Sequence, residues 1–195
     1  MKKFIETPPS ARPGVDRGEK ISIAKNELKM RNVISVLVQN TSGVLSHVAG
    51  LLASRGYNVD SLTVGATEDP RFSRMTIVLN VDKDMIRQVE SQLQKLVTVV
   101  ETVNLSRVEH VERDLALVRV EAERGQRSEI LELVEIFRAQ VVDVAPKSLL
   151  IEVSGDGAKI DAFIGALAPY KIVGLTRSGC IAAPRGDVKD ADSNE

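Results

Sequence analysis

The chain runs twice through the same order of hydrophobic periods, and this repetition limits its architecture more than any other feature. Val33-Ile34-Ser35-Val36-Leu37-Val38 reads as a strand, and a polar turn from Gln39 to Gly43 separates it from a helical stripe of Val44, Leu45, Val48, Leu51 and Leu52. Gly56 is a helix stop signal. Val59 to Val64 alternates as a strand, Thr67-Glu68-Asp69-Pro70 turns the chain, and Met75, Ile77, Leu79 and Val81 alternate again. Asp82 stands where it caps a second helix with the inner stripe Ile86, Val89, Leu93 and Leu96, and Val97 to Leu105 is a fourth strand. A charged joint from Ser106 to Asp114 follows. The order then restarts: strand 115–120, a helix lined by Ile130, Leu133, Val134 and Phe137, strands 141–144 and 149–153 about a turn at Pro146-Lys147-Ser148, a helix lined by Ile160, Phe163, Ile164 and Leu167, and strand 171–176. Two βαββαβ passes predict an α+β fold of two consecutive ferredoxin-like domains, a duplicated topology and not a solenoid.

The expected partition is an extended N-terminal arm over 1–31, a first domain over 32–107, a second over 108–184 and a polar tail over 185–195. In the arm, Thr7-Pro8-Pro9-Ser10 and Arg12-Pro13-Gly14 read as extended chain, Ile21 to Met30 as a short helix, and Met30 as an alternative start. A ferredoxin-like sheet carries helices on one face only, yet strands 33–38 and 75–81 are apolar on both alternations in places. The open face or an edge therefore needs a cover, and a second copy of the chain is the expected one, paired edge-to-edge or back-to-back in a symmetric dimer.

Several functions are disfavoured. A formal charge of −1 argues against bulk binding to nucleic acid or an acidic membrane. The βαββαβ order also builds an RNA-recognition module, but the strand Ser73-Arg74-Met75-Thr76-Ile77-Val78 lacks the aromatics on which bases stack. No apolar stretch approaches the roughly 20 residues that span a bilayer, and no signal peptide is evident. A cytoplasmic location is expected, with a plastid or mitochondrial address left open. The single cysteine, Cys180, is expected to be a buried, inert thiol. His47 and His110 lack ligand-spaced neighbours, and Glu109-His110-Val111-Glu112 reads as a salt-bridged linker. His47, off the apolar stripe, is a solvated or interface residue. Gly155-Asp156-Gly157 lacks the third glycine of a dinucleotide fingerprint, so Asp156 is a helix cap. No catalytic residue, metal site or cofactor cradle is expected in this chain.

What remains is the turn from Asn40 to Ser46. Asn40, Thr41 and Ser42 offer polar side chains at a helix start, and Gly43 admits a close approach. With Val44, Leu45 and Val59 beside them, they suit a small zwitterion with an aliphatic side chain. An ordinary capped turn fits the pattern equally well.

Ile34 to Leu45 resembles the opening of an ACT domain. Arg55-Gly56-Tyr57-Asn58-Val59-Asp60-Ser61-Leu62-Thr63-Val64, followed by Ser73-Arg74-Met75-Thr76-Ile77, resembles the small regulatory subunit of acetohydroxyacid synthase (acetolactate synthase). His110 to Leu115, Glu135 to Val144 and Arg177-Ser178-Gly179 are similar to the second half of that family, an ACT-like domain, and the likeness spans about Asn32 to Gly186. The resemblance implies a subunit that does not catalyse. It implies one that activates the large catalytic subunit, which carries thiamine diphosphate, magnesium and FAD, and confers valine feedback inhibition in branched-chain amino acid biosynthesis. It further implies valine held between the ACT domains of a homodimer, by Asn40, Thr41, Ser42, Gly43, Val44 and Leu45 of one chain and by Asn58 and Val59 of the other. The outer helices of the first domain are the expected surface for the large subunit. The alternative is a stand-alone amino-acid-sensing ACT module that regulates another enzyme or transcription.

Overall fold

The computed structural model describes residues 30–123 and 125–186. The expected helix at 21–30 and the tail from 187 on lie outside those residues, apart from Met30 itself. In the first half, β1 (Met30–Gln39), β2 (Val59–Ala66), β3 (Phe72–Val81) and β4 (Val99–Asn104) form an antiparallel sheet in the order β2-β3-β1-β4. Helices α1 (Val44–Ser54) and α2 (Lys83–Leu93) cover one face. Alternation along β1 sends Ile34, Val36 and Val38 towards the helices, where they pack with Val48, Leu52, Ile86, Val89 and Leu93. Asp82 caps α2 by accepting from the amides of Asp84 and Met85 at 3.1 and 2.7 Å. Gly56, at φ 69°, follows α1 in the left-handed conformation that ends helices.

The second half repeats the plan. The strands β5 (His110–Glu121), β6 (Gln140–Ala145), β7 (Ser148–Gly155) and β8 (Ile172–Arg177) order as β6-β7-β5-β8, beneath α3 (Arg127–Ile136) and α4 (Gly157–Ala166). Its core joins Val118, Val120 and Ile151 to Ile130, Ile160 and Phe163. Phe137 meets Phe163 edge-on with ring centroids 5.3 Å apart. The double ferredoxin-like architecture is thus the observed one.

Three features differ from expectation. β1 starts at Met30, two residues ahead of Asn32. The charged joint is ordered structure: Leu105–Arg107 makes one 3-10 turn, and His110 to Asp114 is the first part of β5. That part is held by a strand the sequence reading lacked, β9 (Ile181–Pro184), which pairs His110 with Pro184 and Arg113 with Ile181. Alternation there sets charged against apolar residues on a two-stranded ribbon, a pattern indistinguishable from a linker when read alone. Lastly, the open face of the first sheet is covered in part by the chain itself. Val33 and Val78 are buried against Leu105 and Cys180, with Val108 and Ala182 packed alongside.

This cover is also the seam between the halves. Arg31 at the start of β1 grips Glu112 of β5 with two hydrogen bonds of 2.6 and 2.8 Å. The Cys180 amide donates to Ser61 Oγ at 3.1 Å.

Candidate functional site

The register of the first sheet fixes where the candidate ligand residues lie. Gln39 pairs with Phe72, so the turn that follows it leaves the sheet at the Phe72 end. There the Asn40 amide donates to the Arg71 carbonyl at 2.7 Å, and Asn40 Nδ2 donates to the Pro70 carbonyl at 3.0 Å. The Asn40 side chain is thereby anchored to the neighbouring turn, and none of Asn40, Thr41 and Ser42 caps α1, contrary to the capping expectation. The residue at the cap is Gly43, at φ 85°, and no side chain accepts from the first amides of α1. By contrast, Asp156 fills the start of α4 by accepting from the Lys159 amide at 2.7 Å, as Asp82 does for α2. Thr41, Ser42 and Gly43 are exposed, as is Leu45; Val44 is buried beneath them. A Cβ built on Gly43 would meet nothing within 4 Å. The result is an outward-facing helix N-terminus with no side-chain cap, partial positive charge and the aliphatic Val44 and Leu45 at its start, able to receive a small carboxylate.

Asn58 and Val59 lie elsewhere. Val59 pairs with Leu79, near the opposite end of β3 from Phe72. Seven residues of strand separate those two rows, roughly 23 Å. Val59 packs against the first core, and Asn58 donates to Asp60 Oδ1 at 3.0 Å. Asp60 in turn accepts from Asn80 at 2.6 Å, a polar chain that sequence reading missed because only the register brings Asn80 beside β2. The candidate residues therefore fall into two groups at opposite ends of one sheet, and the chain does not join them by itself. The outer edge of β2 is unpaired among the described residues. Antiparallel pairing of this edge with its own copy brings the Val59 end of one strand to the Ala66 end of the other, the end where the Asn40–Gly43 turn lies.

The remaining chemical candidates are structural. Gly155-Asp156-Gly157 is a capped helix start whose Asp156 carboxylate already occupies the place of an anion. Lys159 Nζ there donates to the Ser154 carbonyl at 2.8 Å. Among the described residues no group of three His, Cys, Asp or Glu side chains is arranged to hold a metal ion. No described helix is long and apolar enough to cross a membrane. His47 is exposed on α1. His110 and Glu112 form the anticipated ion pair, at 2.9 Å, but within a strand. The Arg31 guanidinium holds the Glu112 carboxyl down to about 2, with a smaller contribution from His110. Burial opposes charge on His110, yet its hydrogen bonds to the Val108 carbonyl and to Glu112 keep its pKa above the ordinary value. Burial, reinforced by Glu112, pushes the Cys180 thiol up to about 11.

Two family models match the chain, one for each half. Residues 34–101 fit the ACT domain of acetohydroxyacid synthase small subunits, and residues 113–186 fit the small subunit of acetolactate synthase. The acetolactate synthase small subunit of Haemophilus influenzae is 48% identical over 81% of this chain and 98% of its own length. The isozyme 3 small subunit of Escherichia coli is 44% identical over 81% of this chain and 98% of its own. The crystal structure of the acetolactate synthase small subunit of Thermotoga maritima is 38% identical to the chain and superimposes with a TM-score of 0.76, over 82% of this chain and 99% of that one.

Proposed function

The chain belongs to the family of acetolactate synthase small subunits, and from that premise we propose that it is the non-catalytic subunit that activates the large synthase subunit and makes it sensitive to valine. Thiamine diphosphate, magnesium and FAD belong, in this reading, to the large subunit. The start of α4, between Gly155 and Gly157, is occupied by this chain's own Asp156 carboxylate. Valine binds in the seam of a homodimer. Its carboxylate meets the amides at the start of α1 near Thr41, Ser42 and Gly43, its side chain meets Val44 and Leu45, and Asn58 and Val59 of the other chain close the site. Asn40 contributes by shaping the turn.

The observation that carries this reading is the uncapped start of α1, with a left-handed glycine where the sheet delivers the chain outward. A ligand that touches two chains favours whichever arrangement of them it fits, and feedback needs only about 1–3 kcal/mol of coupling to the catalytic partner. The test is calorimetry with valine on the native chain and on Gly43→Asp. Asp tolerates left-handed backbone better than most residues, and a Cβ there meets nothing within 4 Å, so the variant is expected to fold with only the backbone strain of φ 85° added. It places an anion where the carboxylate lies and is expected to weaken valine binding at least a hundredfold. Unchanged affinity overturns the site. A synthase assay with the large subunit tests the partner; absence of stimulation favours the stand-alone sensing module.

A further inference from the structure

On the open face of the first sheet, the registers β2-β3-β1-β4 set side chains into rows. One row runs Arg74, Leu37, Glu101, and the next runs Thr76, Ser35, Val103. The third holds Val78 and Val33, already covered by Leu105 and Cys180. Over the second row the cover is partial: Val103 packs against it, and Gly179 approaches Thr63 beside Thr76. Between the first two rows, Leu105 and the β9 segment Ala182–Pro184 lies a cavity of about 340 Å³, within the size range of small-molecule sites. Its polar groups are few and distinct. Ser35 is 3% exposed, and its hydroxyl accepts from Arg74 Nη1 at 3.0 Å. Arg74 and Glu101 face each other at 3.9 Å, near enough to attract and too far for a hydrogen bond. Val103, Leu105 and Pro184 supply an apolar wall.

We propose that this cavity is a second binding site, for a short aliphatic 2-amino acid held as its zwitterion. The ligand's carboxylate takes the two-pronged Arg74 guanidinium, its ammonium takes Glu101, and its side chain lies against Val103, Leu105 and Pro184. A guanidinium and a carboxylate held just out of hydrogen-bond contact match the two charges of such a ligand, which separates them and bonds to both. A ligand with a single charge leaves one of the two residues unserved. The site is complete within one chain, so it does not depend on dimerisation or on the α1 turn. It also borders β9, which ties the second half to the first, so its occupancy bears on the seam.

The experiment is a nuclear magnetic resonance titration of the full chain with L-leucine, read at the amides of Ser35, Val103 and Ala182, and in parallel at Thr41 and Gly43. Saturable shifts are expected at the first three in both the native chain and Gly43→Asp. Arg74→Met and Glu101→Gln should each weaken that binding at least tenfold. So should replacing leucine with 4-methyl-2-oxopentanoate, which lacks the ammonium, or with isopentylamine, which lacks the carboxylate. No shift at Ser35, Val103 and Ala182, or an affinity in either variant unchanged from the native chain, overturns the proposal. Should one variant fail to fold, the other and the two singly charged probes still decide. Absence of response at Thr41 and Gly43 in the native chain, with saturable shifts at Ser35, Val103 and Ala182, counts against leucine binding at the dimer seam and leaves this site standing; loss at the turn in Gly43→Asp alone agrees with both sites.

Discussion

Gly179 and Cys180 show how much the seam asks of single residues. Gly179 has φ 84°, and a Cβ there would stand 2.8 Å from both Ser61 Oγ and Thr63 Oγ1. Backbone sign and close approach both demand glycine, so Gly179→Ala should lower stability by roughly 2–4 kcal/mol in denaturant unfolding, from left-handed strain plus overpacking. A loss below 0.5 kcal/mol would mean that the seam moves apart freely. The neighbouring Cys180 is 8% exposed, and its thiol is held near 11 by burial and by Glu112. Only the thiolate attacks, so at pH 8 it should react with a disulfide reagent at least about a hundredfold slower than the same cysteine in the unfolded chain. Equal rates would contradict the burial.

The element that sequence reading misjudged most is the ribbon of β5 with β9, and its charge makes it testable. Glu112 is depressed to about 2 by Arg31, so its contribution is present above the ordinary carboxylate value near 4.3 and is lost as pH falls through 2. His110 is raised, so its contribution is present below the ordinary value near 6.5 and is lost as pH rises through its folded value. Both act together between roughly pH 4.5 and 6.5. Denaturant unfolding of the native chain and of Glu112→Gln should differ most in that window, by roughly 1 kcal/mol after allowance for solvent around Arg31. A pH-independent difference would refute the pairing. The contrast with β1 and α1 shows what a sequence displays. Val36, Val38, Val48 and Leu52 announce their elements through local periods of two and 3.6 residues. β9 is short, lies beyond the second βαββαβ pass and gains its partner only through a contact some seventy residues back, a relation that no local period records. The turn at Asn40 was legible as a helix start, but that Gly43 takes the cap position, with no help from Asn40, Thr41 or Ser42, was not, and the hydrogen bond that anchors Asn40 to Pro70 again depends on tertiary structure.

At the scale of the whole molecule the decisive fact is that, among the described residues, the first sheet ends in an unpaired β2 edge, with the two proposed halves of the ligand site at opposite ends of that sheet. A twofold pairing of β2 edges repeats each contact across the axis, so one added charge acts twice against its own copy. Val64 lies on β2, is 42% exposed and faces the helix side where the α1 turn opens. Val64→Asp removes little buried surface, and an exposed substitution of this kind usually changes the stability of the isolated fold by no more than about 0.5 kcal/mol. It should nevertheless shift the protein towards monomer in sedimentation equilibrium and, in the same samples, weaken valine binding at the Thr41–Gly43 turn by at least tenfold. The two losses must travel together if, as proposed, the seam site takes Asn58 and Val59 from a second chain. A monomer that binds valine as tightly as the native protein would place the whole site within one chain. A dimer unaffected by the charge would move the interface to another edge.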